Sequence, residues 1–333
     1  MQQFSDVIGV FYRLIVIGLA LYGIHNLFTT FLFIATKSKS EHKQPLTSVK
    51  KWPYVTIQLP IFNEKYTIER LLGAVTQLDY PSDRLQIQVL DDSTDDTAQL
   101  ANQLVEEYRS SGINIEWIHR DSRKGYKAGA LNEGLDSATG ELIGIFDADF
   151  IPNPDWLKKT IPSFQDQELG CLQTRWGHTN RKYNLLTQAE ALAIDGHFVV
   201  EQTVRSGNNF FLNFNGTAGL WRRSCIEDAG GWQWDTMTED LDLSYRAQMR
   251  GWKIRYLPEV VVPAELPSEV ESFKKQQSRW ARGSFQVVRK ILPNLIKRTE
   301  LPWYVRLAGI LHLTGYIVHP LALSLLLFAL PVG

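Results

Sequence analysis

Two long apolar runs close off both ends of this chain and restrict the fold to what can stand between them. Residues 7–35 and Val305–Leu330 are each longer than the about 20 residues that carry a helix across a bilayer core. Arg13, His25 and Asn26 interrupt the first, and His312 and His319 the second, where Pro320 is placed to kink a helix. Polar groups inside such segments face protein or a cavity rather than lipid. Neither run has the polar stripe of a surface helix, which disfavours two core helices of a soluble protein. The first also lacks a basic start and a small-residue cleavage site, so residues 1–36 read as a retained anchor and not a cleaved signal. The second, within residues 301–333, reads as a membrane segment and the first of several.

Basic residues set the expected orientation. Lys37, Lys39, Lys43, Lys50 and Lys51 follow the first run, Lys297, Arg298 and Arg306 border the second, and nothing basic precedes Arg13. By the positive-inside rule this is an integral protein of the inner or plasma membrane whose middle faces the cytoplasm. Thirty-five Lys plus Arg stand against 36 Asp plus Glu, which argues against a nucleic-acid binder, since phosphate affinity needs a basic excess. Cys171 and Cys225 are the only cysteines, so there is no disulfide framework and no C-x-x-C motif, in keeping with a reducing compartment.

After a polar linker, residues 37–53, buried-strand patterns alternate with helical ones. Residues 54–61, 85–91, 113–118 and 141–147 read as strands, and segments near 64–77, 95–110 and 127–138 as helices. The alternation predicts a doubly wound α/β sheet over a domain of residues 54–267, with ligands beyond the carboxyl ends of the strands. No GxGxxG follows the first strand and no GxxxxGK[ST] occurs, so a dinucleotide oxidoreductase or P-loop nucleotidase would lack its phosphate cradle. Residues 169–266 are more mixed, with helices expected at 185–206 and 239–250, a glycine-bearing stretch at 214–219 and the strand WKIRYLP.

Carboxylates gather at the predicted strand ends. The second strand ends in LDDSTDDT; a helix start accounts for Asp95 and Asp96, and less well for Asp91 and Asp92, which are free to accept hydrogen bonds from a base or ribose. The fourth ends in IFDADF, where a turn must bring Asp147 and Asp149 towards one hard cation, Mg²⁺ or Mn²⁺, with positions left open for phosphate oxygens. In MTEDLDLSYRAQMRG, Glu239, Asp240 and Asp242 fit the positive end of a helix dipole under a Thr238 cap, and one of them could instead serve as a general base.

KKQQSRWARGS, residues 274–284, lies in a predicted helix from Phe273 to Lys290. Gln276, Arg279 and Trp280 share one face, where a guanidinium suits a diphosphate and an indole suits a sugar ring. The other explanation is an amphipathic helix, within residues 268–300, lying on anionic lipid through Lys274, Lys275, Arg282, Arg289 and Lys290.

In this order, LDDSTDDT, GYKAGALN (125–132), FDADF, FNGTAG (214–219), TED (238–240) and QQSRW (276–280) resemble the membrane-bound, processive family 2 glycosyltransferases, above all the cellulose synthase-like glucomannan synthases. Ceramide glucosyltransferases and bacterial glycolipid synthases are similar too. The resemblance covers about residues 54–290 and implies a GT-A nucleotide-sugar-binding domain flanked by transmembrane helices. It implies donor contacts from Asp91, Asp92, Lys127, Asp147, Gln276 and Arg279, and a divalent ion on Asp147 and Asp149. Asp240 would be the general base; Phe214, Asn215, Gly216, Thr217, Glu239 and Trp280 would receive the acceptor, although cellulose synthases carry a Cys-containing version of FNGTAG. The implied reaction is inverting transfer of a hexose from a UDP- or GDP-sugar to a growing β-linked polysaccharide. The alternatives are a glycolipid synthase adding one sugar to a ceramide or diacylglycerol, and a silent sugar-binding scaffold.

Overall fold

The computed structural model describes residues 2–37 and 51–329, with side chains for 8–35 and 51–329. Most of the linker expected at 37–53, with Lys39, Lys43 and Lys50, lies outside the described residues. Helix α1 (Gln2–Lys37) precedes β1 (Val55–Ile61), α2 (Ile68–Val75), β2 (Leu85–Asp91), α3 (Thr97–Ser110), β3 (Ile115–His119), α4 (Tyr126–Ser137), β4 (Leu142–Ile145) and α5 (Trp156–Thr160). Then come β5 (Leu169–His178) and α6 (Leu185–Asp195), which continues through a π-helical segment (Gly196–Gln202) into α7 (Thr203–Gly207). The remainder is β6 (Gly219–Arg222), α8 (Arg223–Asp228), α9 (Glu239–Met249), β7 (Lys253–Ala264), α10 (Val270–Lys297), α11 (Trp303–Leu313) and α12 (Val318–Ala329).

Among the described residues the strands form one seven-stranded sheet in the order β3-β2-β1-β4-β6-β5-β7. The strands β1 to β4 run parallel, β6 is antiparallel to both its neighbours, and β5 is parallel to β7. Val, Ile and Leu dominate β1, β2 and β4 because both faces of the sheet are covered. One apolar core lies under α2, α3 and α5, and a second under α4, α8 and α9. The strand order turns back between β1 and β4, so Asn63, Asp92 and Asp147 emerge on one rim, at the switch point where such sheets take ligands.

The first four strands fall where the alternating pattern put them. β5 and β6 were not anticipated: β6 is four residues long, and β5 carries Gly170, Cys171 and Gly177 in place of a clean apolar period. The strand expected at WKIRYLP extends to Ala264, and a register shift between Thr174 and Arg175 of β5 accommodates Pro258.

Both apolar ends are helical. In α1, Ile8–Ala35 is long and apolar enough to cross a membrane, and 6% of it is buried. It packs on α12, with Phe11 stacked on Phe328 at 6.3 Å and Gly18 beneath Leu321. The second run is broken, and not at Pro320 as expected: α11 and the chain from Gly315 onward meet at 53°. The break lies at Thr314, whose hydroxyl bonds Ile310 O (2.6 Å) and Tyr22 Oη (2.6 Å) while Tyr22 Oη also donates to Thr314 O (3.2 Å). Pro320 is the third residue of α12, where the helix has no amide partner to lose. A third apolar cluster (Phe211, Tyr245, Val287, Ile291, Leu295, Leu313) fastens α9 and α10 to α11.

Candidate active site

Asp91, the last residue of β2, is fully buried and accepts from Ser93 N (2.9 Å) and Trp117 Nε1 (3.1 Å), with His119 Nδ1 at 3.1 Å. It lies behind the cleft and braces β3. Asp92 lines the cleft and is gripped by Arg120 through Nε (2.6 Å) and Nη2 (2.5 Å), a planar two-pronged pair. Arg123 stacks over Phe62 at 3.3 Å and reaches Tyr126 at 5.1 Å, giving this end of the rim flat surfaces suited to a planar base.

Beyond β4 the chain turns, with Phe150 N bonded to Asp147 O (3.1 Å), and Asp147 and Asp149 both face the cleft. Asp147 pairs with Lys127 of α4, whose Nζ also donates to Gly216 O (3.0 Å). Burial disfavours the Lys127 ammonium, but Asp147, with Glu239 and Asp240 behind it, more than compensates and raises its pKa. Burial, reinforced by Asp147, pushes Asp149 up to about 7. A divalent cation between them would relieve this crowding of one carboxylate by the other. Among the described residues no group of three or more His, Cys, Asp or Glu surrounds a metal position. The pair fits an ion that takes its remaining ligands from phosphate and water.

The strip 214–219 is stitched between these groups. Thr217 Oγ1 accepts from Asp147 N (2.9 Å), so this buried side chain holds the turn after β4 from behind. Phe214 is also fully buried, edge-on to Trp221 at 5.6 Å, and does not face the cleft. Asn215 and Gly216 do. Gly216 has φ +83°, and a Cβ there would stand 3.1 Å from Asp240 Oδ2, so glycine serves both the turn and the carboxylate opposite.

Glu239 and Asp240 open α9. Asp240 Oδ1 accepts from Leu241 N (2.8 Å), and burial, then the neighbouring Glu239, pushes its pKa up to about 7. Burial raises Glu239 as well, against the pull of Lys127. Asp242 is different: fully buried, it pairs with Arg246 (2.8 Å) and Lys290 (3.0 Å) and holds the helix in place. Lys290 also bonds Asp235 and Gln233, both at 2.7 Å, so it faces the protein and not lipid as the amphipathic reading had it.

Gln276, Arg279 and Trp280 share the inward face of α10 and line the same cleft, of about 750 Å³, as Asp149 and Asp240. Close approach of α10 depends on Gly283, where a Cβ would stand 2.5 Å from Thr238 Cγ2, beside the two α9 carboxylates. Gly283→Val should push Arg279 and Trp280 outward; we expect turnover to fall by roughly tenfold to a hundredfold, as a displacement near 1 Å does, with binding of an anionic ligand in the cleft weakened as well. Steady-state kinetics on both substrates checks this.

A second cavity of about 620 Å³ adjoins the first and runs from Asp240 towards α1, α11 and α12. Trp176, Ile194, Asn215, Thr238, Asp240 and Trp280 line both. Sequence reasoning missed Trp176 and His178, because β5 went unrecognised, and Glu64, which follows β1 at a strand end where the same rule that found Asp92 applies. It also missed His197 and Gln202, which meet Asn215 at 3.0 and 2.7 Å; the π-helical turn places these two, five residues apart, on one side.

Residues 53–283 match the family described as "Glycosyltransferase like family 2". The glucomannan 4-beta-mannosyltransferase 1 of Oryza sativa subsp. japonica is 42% identical over 262 residues, 77% of this chain and 50% of the rice protein. The glucomannan 4-beta-mannosyltransferase 2 of Arabidopsis thaliana is 43% identical over 258 residues, 76% of this chain and 48% of that protein. The chain thus spans about half the length of the curated relatives it matches. Among solved structures, the mannosyltransferase PcManGT from Pyrobaculum calidifontis, in complex with GDP-Man and Mn²⁺, superposes with a TM-score of 0.72 at 24% identity, covering 96% of this chain and 85% of that one, which shows a shared GT-A fold. Matched over more than two thirds of its length by the family and its plant members alike, the chain belongs to the family 2 glycosyltransferases, in their cellulose synthase-like branch.

Proposed function

We propose that this chain is the catalytic part of a membrane-embedded, metal-dependent, inverting hexosyltransferase that extends a β-linked polysaccharide. The observation that carries the reading is the place of Asp240: a carboxyl with a pKa near 7 where two cavities meet, one rimmed by cationic and metal-fitting groups, the other leading towards the apolar helices. Asp92, Arg123 and Tyr126 would border the nucleotide, Lys127, Gln276 and Arg279 the diphosphate, and Asn215, Gly216, Glu239 and Trp280 the acceptor. Asp91, Phe214 and Thr217 act from behind the wall as positioning residues. Asp147 and Asp149 would hold Mg²⁺ or Mn²⁺, which supplies counter-charge to the diphosphate when bound.

In the reaction, Asp240 takes the proton from an acceptor hydroxyl as that oxygen bonds the anomeric carbon. The bond from this carbon to the phosphate oxygen breaks, and the nucleoside diphosphate leaves with the electron pair towards Arg279 and Lys127. Attack opposite the leaving group converts an α-linked donor into a β-linked product. The plant mannosyltransferases and the GDP-Man complex of the archaeal neighbour favour GDP-mannose as donor. A silent sugar-binding scaffold has no use for a carboxyl poised to take a proton. The span of α1 and the bent α11–α12 pair support membrane embedding.

Reconstituted in lipid vesicles with Mg²⁺ or Mn²⁺ and a panel of labelled nucleotide sugars, the protein should consume GDP-mannose and yield material that lengthens with time. A product that stops at one sugar on added ceramide or diacylglycerol would replace the polysaccharide reading with the glycolipid one.

A further inference from the structure

The second cavity contains an ionisable group that the reaction does not use. Glu190 of α6 is 4% exposed and lines this cavity, and neither of its carboxylate oxygens has a hydrogen-bond partner among the described residues. Burial alone, with no charged neighbour offsetting it, pushes its pKa up to about 7. A buried carboxyl without a donor is costly, so the group is either a defect of the fold or waits for something the cavity admits. Its surroundings favour the second. Asn213 Oδ1 and Trp176 Nε1, on the same cavity, are likewise buried without partners.

Two orphaned acceptor groups and one orphaned donor ask for a ligand that both donates and accepts. Sugar hydroxyls do so; an alkyl chain does neither, and an ammonium cannot satisfy the indole N–H. Trp176 and Trp280 add flat apolar faces of the kind on which pyranose rings lie. The spacing also suits a sugar. Ile194 lines both cavities where they join, and Glu190 lies four residues earlier on the same helix, about 6 Å further along, on the scale of one pyranose unit.

We infer that Glu190, with Asn213 and Trp176, forms a second sugar station in the acceptor cavity, which holds the unit behind the one presented to Asp240. The inference rests on the glycosyltransferase reading and deepens it: the acceptor is recognised as at least two linked sugars. The wild-type protein in vesicles should therefore show an acceptor KM that falls by roughly tenfold to a hundredfold from β-mannose to β-1,4-mannobiose, the worth of hydrogen bonds to a charged group. Glu190→Ala and the isosteric Glu190→Gln should flatten that difference, with donor KM and the rate on the monosaccharide unchanged. Quenching of tryptophan fluorescence by mannobiose without donor should weaken in parallel and gives a readout independent of turnover.

Equal KM values for the two acceptors in wild type, or an undiminished preference in Glu190→Gln, would overturn the station and leave the transferase standing. Transfer to lipid with no response to mannobiose would likewise overturn it. Failure of wild type to transfer from any donor would overturn the transferase, and the station with it.

Discussion

Asp240→Asn should cut turnover by roughly 10²- to 10⁴-fold, the usual worth of a positioned general base, while donor affinity stays within a few-fold of wild type. Isothermal titration with donor, beside initial rates, separates the two effects. A variant that kept near-normal rate would remove Asp240 from the chemistry. Wild type carries a matching signature in pH. The carboxyl must be ionised to take a proton, and its pKa stands near 7, so kcat/KM should be low in acid, climb through about pH 7 and level off above it. Stability runs the other way. This pKa is raised from an ordinary 3.8, so the folded protein is favoured while the group is protonated, and that advantage is lost as pH rises from about 4 through about 7. At pH 8 the ionised group costs about 2 kcal/mol after discounting for the water its cavity admits. Asp240→Asn is released from that cost, and its thermal midpoint at pH 8 should lie a few degrees above wild type.

Removing divalent cations should be as severe. Among the described residues no third His, Cys, Asp or Glu joins Asp147 and Asp149, so on the proposed reading an ion there would be held jointly with the donor diphosphate. Chelation should therefore abolish transfer and weaken donor binding together, with turnover falling on the order of a thousandfold, and added Mn²⁺ or Mg²⁺ should restore both. Asp149→Asn should resist that restoration. Asp147 has a partner in Lys127, so Asp147→Asn also frees this ammonium; we expect a raised donor KM even at saturating metal, measured by titrating metal at fixed donor.

The parts of the fold that repeat a simple period were legible in the sequence. β1, β2 and β4 are runs of branched apolar residues bounded by polar turns, and their carboxyl ends placed Asp92, Asp147 and Asp149 on one rim before any coordinates. Arg279 and Trp280 were legible for a similar reason, since helical spacing puts them on one side of α10. β5 and β6 were hidden because they are buried within the sheet without alternating, so Trp176 and His178 went unseen. The roles of Asp91 and Phe214 were hidden for another reason: a residue beside a motif either faces the cleft or supports it, and only tertiary packing decides which. Glu190 had no local signal at all. On α6 it resembles any exposed glutamate, and its burial is decided by tertiary packing alone.

On the proposed reading, one small clasp would couple the two substrates. The backbone oxygen of Gly216 holds Lys127, and the hydroxyl of Thr217 holds the amide of Asp147, while the neighbouring Asn215 looks into the other chamber. A redesign of this strip aimed only at the receiving sugar would therefore also shift the grip on the activated one. The independent handles are side chains on α6, Glu190 and Ala193 among them, which line the second chamber and not the cleft of Asp147 and Asp149.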